Sequence, residues 1–317
     1  MEFGFSMVKE AYDRIRGEIR ETPMIRVEAL DEALGCRVYV KADCMQKTGS
    51  FKFRGAMNAV MSLSAEELKG GIVTASSGNH GRACAYAAKM KGIPTTVVIP
   101  DSAPEIKVQN ILALGAEVVQ CPAVERFRVA ERISAEKKAV FIPPYDDFNV
   151  MAGQGSAGIE IMEQLPDVET VIVPLSGGGL LSGISTAVRE LGPRVRIIGA
   201  EPEPLPRYTA SLKAGEPVNV PQQPTAADAL VSNHPGTKCF PVIKKNVDEI
   251  ADVPDSFTLK AQKLLLTEGK IFAEPSSAIG MAAVLAGLVK VRPDEKVCFF
   301  VSGGNLSISQ LDRLKEL

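Results

Sequence analysis

The feature that most constrains this chain is a repeated alternation of short β-branched runs with longer amphipathic segments. IVTAS leads into NHGRACAYAAKMKG, TTVVIP into APEIKVQNILALG, and AEVVQC into AVERFRVAERISAEKK, with AVFIP closing that block. Further along, TVIVPLSG precedes GGLLSGISTAVREL, RVRIIGAEP follows, and KVCFFVSGG lies near the end. Apolar strands separated by helices read as parallel strands covered on both faces, so the expected class is α/β with doubly wound, mostly parallel sheets. The block over residues 66–146 has strand–helix units of its own. It is expected to form a smaller, mobile domain inserted into a larger one made of residues 1–65 and 147–317, with Pro143-Pro144 at the return.

Composition narrows the function classes. A formal charge of −2 on 317 residues gives no overall attraction to nucleic acid or anionic membrane. The longest apolar runs fall far short of a membrane span, and the charged N-terminus has no signal-peptide core. The six cysteines, Cys36, Cys44, Cys84, Cys121, Cys239 and Cys298, contain no C-x-x-C pair, which fits a reducing, cytoplasmic setting better than a zinc site or a disulfide framework. With only two histidines, His80 and His234, multi-histidine metal sites and relays are nearly excluded. Chemistry supplied by an organic cofactor suits this composition.

In such folds ligands gather at the carboxyl ends of strands, and four stretches lie there or beside a helix start. PLSGGGLLSG (Pro174 to Gly183) follows a strand and opens a helix, so glycines 177, 178 and 179 permit close main-chain approach to a phosphate. As structure alone it is a tight turn. TASSGNHGRA (Thr74 to Ala83) places Ser76, Ser77 and Asn79 at a helix start, where they read either as caps or as a carboxylate-binding set; His80 by itself reads more readily as a structural histidine. FFVSGGNLS ends a buried strand on Ser302. In QKTGSFKFRGA (Gln46 to Ala56), Lys52 sits between Phe51 and Phe53 as a loop gives way to a helix. Those rings would lower the pKa of an amine that must be neutral part of the time, whereas a solvated lysine has no use for them. Arg54 reads as an ordinary helix cation. Together the four loops nominate a cofactor with a phosphate, a ring nitrogen and an aldehyde, which is pyridoxal 5′-phosphate.

With AGQGSAGIEI (Ala152 to Ile161) and AEPSSA, these motifs resemble, in order and spacing, the fold-type II pyridoxal-phosphate enzymes of the tryptophan synthase β-like fold. The branch they resemble is that of the threonine/serine dehydratases and serine racemases. The resemblance implies that Lys52 forms the Schiff base and that Phe51 packs by the ring. It places Asn79 on the phenolic oxygen, Gly177, Gly178, Gly179 and Leu180 around the phosphate, and Ser302 at the pyridine nitrogen. Ser77 resembles the acid–base residue on the face opposite the lysine. Ser76, Ser77, Gly78, Asn79 and His80 would hold the substrate, with Glu274, Arg126 and Ser232 lining the cleft. A homodimer acting on a small amino acid is implied. The expected activity is elimination of water and ammonia from serine or threonine, with serine or aspartate racemisation as the alternative main activity.

The sequence departs from that branch at two places. Where several relatives hold a divalent cation, Glu201 and Leu205 match the pattern but Arg207 replaces the second acid, so no metal is expected and Arg207 should pair with Glu201. Ala229 stands where relatives carry glycine. The chain ends soon after its last motif, so no regulatory domain is expected. A nicotinamide dehydrogenase stays open as a remote alternative, because Glu201 lies twenty-two residues past Gly179, where a ribose-binding acid would stand. A non-catalytic amino-acid sensor is the other.

Overall fold

The computed structural model describes residues 2–315. In chain order the elements are α1 (Phe5–Ile15), β1 (Met24–Arg26), α2 (Asp31–Leu34), β2 (Arg37–Ala42), α3 (Lys52–Met61), β3 (Ile72–Ala75) and α4 (Asn79–Lys91). Next come β4 (Thr95–Pro100), α5 (Glu105–Leu112), β5 (Glu117–Cys121), α6 (Arg126–Lys137), β6 (Val140–Phe141) and α7 (Phe148–Gln164). The chain continues through β7 (Thr170–Pro174), α8 (Gly179–Leu191), β8 (Arg196–Pro202), α9 (Arg207–Ala214) and α10 (Cys239–Asn246). It closes with β9 (Glu249–Val253), α11 (Asp255–Thr267), α12 (Pro275–Leu285) and β10 (Lys296–Val301).

Two sheets result. The larger runs β1-β2-β10-β7-β8-β9 and is parallel except for the β1–β2 pair; the smaller runs β5-β4-β3-β6 and is wholly parallel. The central strands read as continuous apolar runs because both faces are covered: every residue of β3 and β7 is buried. The doubly wound α/β expectation holds. Each of the seven runs read as strands forms one, while β1, β2 and β9 come in addition.

The helix α7 explains how the parts close up. Asp147 caps it, its carboxylate accepting from Asn149 N at 2.8 Å and Val150 N at 3.0 Å. Each glycine inside it costs helix stability of about 0.5–1 kcal/mol, yet here small residues allow backbones to meet. A Cβ on Gly153 would lie 2.6 Å from the Arg54 carbonyl oxygen, and one on Gly155 would lie 2.8 Å from that of Gly183. So α7 holds α3 on one side and α8 on the other at main-chain distance, fixing the lysine-bearing helix against the one that follows the triple glycine.

Arg54 is more than the ordinary helix cation expected. It is fully buried, donating to Asp43 at 2.7 Å and to Glu160 at 2.6 Å, while Lys41 Nζ reaches Glu160 at 2.6 Å. Four charges that neutralise one another and share hydrogen bonds can stay buried; removing one would leave a bare charge behind. They pin α3 to β2 and α7.

Candidate active site

All four sequence motifs come together at the carboxyl edges of the two sheets. Lys52 begins α3, and its Nζ donates to the Pro144 carbonyl oxygen at 2.5 Å, with the Phe51 ring centroid 5.1 Å away. Phe51 is tied to the end of β10, its N–H donating to Ser302 O at 2.9 Å, and its ring meets Phe300 edge-on. Phe53 faces elsewhere: it is wholly buried against Tyr86, so the apolar wall beside the amine is Phe51 alone among the two phenylalanines. Burial pushes the Lys52 ammonium down to about 8, against opposing effects from Cys84 and Cys239. At pH 7 about a tenth of the amine is then neutral, against less than about one in a thousand for an ordinary lysine.

The triple glycine is shaped by its neighbours. Gly178 has φ of +105°, and a Cβ there would lie 2.0 Å from the Tyr208 hydroxyl oxygen. A Cβ on Gly177 would lie 2.5 Å from the Tyr145 ring. Tyr208 OH and Gly236 N both donate to Gly177 O, at 3.0 and 2.9 Å, so the turn is held from outside. Gly179 then starts the 13-residue helix α8, whose first N–H groups have no acceptor within the helix, and Leu180 is buried in that first turn. Gly178→Ala is expected to destabilise the fold by about 1–3 kcal/mol and to weaken cofactor binding at least tenfold, read by thermal melting and by absorbance titration.

At the start of α4 the cap is Gly78, with no side-chain capping bond, so Ser76, Ser77 and Asn79 do not act as helix caps. Ser76 Oγ accepts from Gly78 N at 3.2 Å, and Ser77 Oγ makes no hydrogen bond among the described residues. Asn79 Nδ2 donates to Glu274 at 2.7 Å while its Oδ1 accepts from Asn305 at 2.7 Å, which leaves one amide proton for a ligand. His80 is buried with Nε2 3.1 Å from Ile142 O and 3.5 Å from Cys84 Sγ, and burial with nearby Lys52 holds its pKa down at about 3. Its ring is a neutral structural group; a role for His80 toward substrate rests on its main chain. Glu274 is 5% exposed, and burial raises its pKa to about 8 despite the Asn79 bond.

Ser302 Oγ lies 3.0 Å from Ser277 Oγ, and no carboxylate bonds either hydroxyl among the described residues. Ser232 Oγ donates to His234 O at 2.8 Å and meets the Tyr145 hydroxyl at 3.2 Å. Arg126 stays on its own turn, near Ala123 O and over the Phe127 ring, with no contact to the other candidate residues. Tyr145, Asn305 and Gln154 have no role assigned from sequence, although FFVSGGNLS contains Asn305 and AGQGSAGIEI contains Gln154; the fold brings all three to the cleft.

Arg207 pairs with Glu201 at 3.2 Å, both side chains fully buried. Glu201 also accepts from Tyr208 N at 3.0 Å and Thr209 N at 2.9 Å. Its carboxylate is thus enclosed and engaged, and has no free edge for a ribose hydroxyl, which removes the basis for a nicotinamide site. Ala229 is exposed, its N–H donating to Ser276 Oγ at 2.9 Å.

A family profile described as pyridoxal-phosphate dependent enzyme matches residues 15–303. The chain belongs to that family. The enzyme is 42% identical over 310 residues to an L-threonine ammonia-lyase of Thermotoga maritima, covering 97% of this chain and 77% of the relative. It is 38% identical to a serine racemase of Arabidopsis thaliana, covering 96% and 93%. In structure it is similar to maize serine racemase, with a TM-score of 0.94, 36% identity, and coverage of 100% and 98%. Its cofactor is pyridoxal 5′-phosphate, and the residues present fit that group: a glycine turn in which added Cβ atoms would collide with its walls, a helix N-terminus for a phosphate, and a lysine held partly neutral.

Proposed function

We propose that the enzyme removes water across Cα–Cβ of a small β-hydroxy amino acid, serine or threonine, and that the enamine so released is hydrolysed to a 2-oxo acid and ammonia. The observation that carries this reading is Lys52, whose amine, depressed to about 8, reaches the carbonyl of Pro144, one residue before the Tyr145 that walls the glycine turn. Bound pyridoxal phosphate supplies an aldehyde for the substrate amine and an electron sink for bonds broken at Cα. Lys52 provides the amine that holds the cofactor and the base that takes the Cα proton. The α8 N-terminus with Gly177, Gly178, Gly179 and Leu180 holds phosphate, and Phe51 flanks the ring. The free amide proton of Asn79 serves the phenolic oxygen. N–H groups of the Ser76 to His80 turn hold the substrate carboxylate, and Glu274 and Ser232 bound the cleft, whereas Arg126 stays on its own turn. Ser302 offers a hydroxyl, rather than a carboxylate, to the ring nitrogen, which disfavours a fully protonated ring and therefore favours prompt loss of a β-substituent over transamination.

Racemisation is the second reading, supported by the unengaged Ser77 hydroxyl, which can deliver or take a proton opposite Lys52. L-serine, L-threonine, D-serine and 3-hydroxyaspartate, assayed for ammonia and for inversion, separate the two. Ser77→Ala is expected to lower inversion at least about 100-fold while sparing elimination from L-serine. A variant losing both equally, or neither, contradicts the role given to Ser77.

We further infer that the enzyme works as a homodimer and in the cytoplasm, the six free cysteines supporting the reducing compartment. With Arg207 paired to Glu201 no divalent cation is needed, so chelation should leave the rate unchanged. The neutral fraction of Lys52 sets how fast apoprotein captures pyridoxal phosphate. That rate should climb about tenfold from pH 6 to pH 7 and level off above pH 8, whereas an ordinary lysine would keep gaining past pH 10.

A further inference from the structure

Gln154 is fully buried in the middle of α7, and neither its Oε1 nor its Nε2 has a hydrogen-bond partner among the described residues. Leaving a carboxamide unpaired in the interior costs about 1–3 kcal/mol, and a buried polar group so placed requires an explanation. Its position supplies one. A Cβ on Gly179, the first residue of α8, would lie 2.9 Å from Gln154 Oε1 and 2.9 Å from Tyr145 O. A Cβ on Gly55, three residues after Lys52, would lie 3.1 Å from Gln154 Nε2. The amide is therefore wedged between the turn that follows the triple glycine and the helix that carries the lysine. The glycines at 153 and 155 on either side keep α3 and α8 too close for the side chain to swing out.

We propose that Gln154 is a cofactor-anchoring residue, its amide N–H turned toward α8 to donate to the phosphate group of pyridoxal phosphate, with the apoprotein bearing the cost of the unpaired amide. Oxygen and nitrogen of a carboxamide exchange places by a half-turn, so either can face Gly179. The same donor ties the phosphate end of the cofactor to α7, which spans both helices.

Gln154→Met keeps length and volume and removes both polar atoms, with Gln154→Leu as a second variant. The expected result has two parts. The apoprotein melts at the wild-type temperature or about 2–4 °C above it, because an unpaired polar group has gone. The dissociation constant for pyridoxal phosphate rises about tenfold, with a shifted phosphorus resonance for the bound cofactor by nuclear magnetic resonance. An unchanged dissociation constant would overturn the proposal. So would a lowered apoprotein melting temperature, or failure of both variants to fold, since either would make Gln154 a structural residue.

Discussion

Lys52→Ala is expected to yield a folded, colourless protein whose turnover of L-serine falls by about 10⁴-fold or more. Two separate losses combine. The variant has no amine to retain the aldehyde, so pyridoxal phosphate is held only by its phosphate and ring contacts. It also lacks the base for the Cα proton, and a positioned base is worth about 10²–10⁴-fold by itself. The fold should survive, because among the described residues Lys52 Nζ makes a single hydrogen bond, to Pro144 O, while α3 is anchored through Arg54, Asp43 and Glu160. Added methylamine should restore part of the proton transfer but leave the cofactor exchangeable. Circular dichroism for the fold, visible absorbance for the cofactor and ammonia release for turnover measure the three parts independently. A variant that stayed yellow and active would remove Lys52 from the chemistry.

Arg207→Met should have the largest effect on stability, about 3–5 kcal/mol, because it leaves the Glu201 carboxylate buried without its partner. Arg207 also donates to Leu230 O at 2.8 Å and Ser232 O at 2.5 Å, and approaches Leu175 O at 3.3 Å. Its loss therefore frees the loop that carries Ser232 and the strand end leading into the glycine turn, and cofactor affinity should fall with stability. The double variant Glu201→Gln/Arg207→Met removes the stranded charge and should recover most of the stability. Its cofactor affinity should stay low, because the carbonyls remain untied. Urea denaturation of the apoproteins measures the first effect and absorbance titration the second. Equal stability of single and double variants would show that Glu201 was not paying a desolvation penalty held off by Arg207.

The strands that surround the site could be read from the sequence because burial on both faces forces long β-branched runs, as in TTVVIP and TVIVPL. Strands that carry charge could not. β2 contains Lys41, buried against Glu160, and β9 is an edge strand with half-buried Glu249 and Asp252, so neither looks like an apolar run. For α7 the obstacle was its glycines, which weaken a helix taken alone but are required where α3 and α8 touch it. Arg54 misled for a related reason: pattern alone does not distinguish an ordinary helix cation from one facing buried Asp43 and Glu160. The motif residues Lys52, Asn79, Gly177 to Gly179 and Ser302 were legible since each follows a strand or opens a helix. Which partner each meets was not, because Asn305, Tyr145 and Gln154 arrive from distant parts of the chain.

Reduction of the holoprotein with borohydride, followed by proteolysis and peptide mass mapping, tests the central claim most directly. The account predicts a pyridoxyl group on Lys52 in the peptide spanning SFKFR and on no other lysine. A pyridoxyl group at a different lysine, or none on a protein that still turns over L-serine, would contradict it.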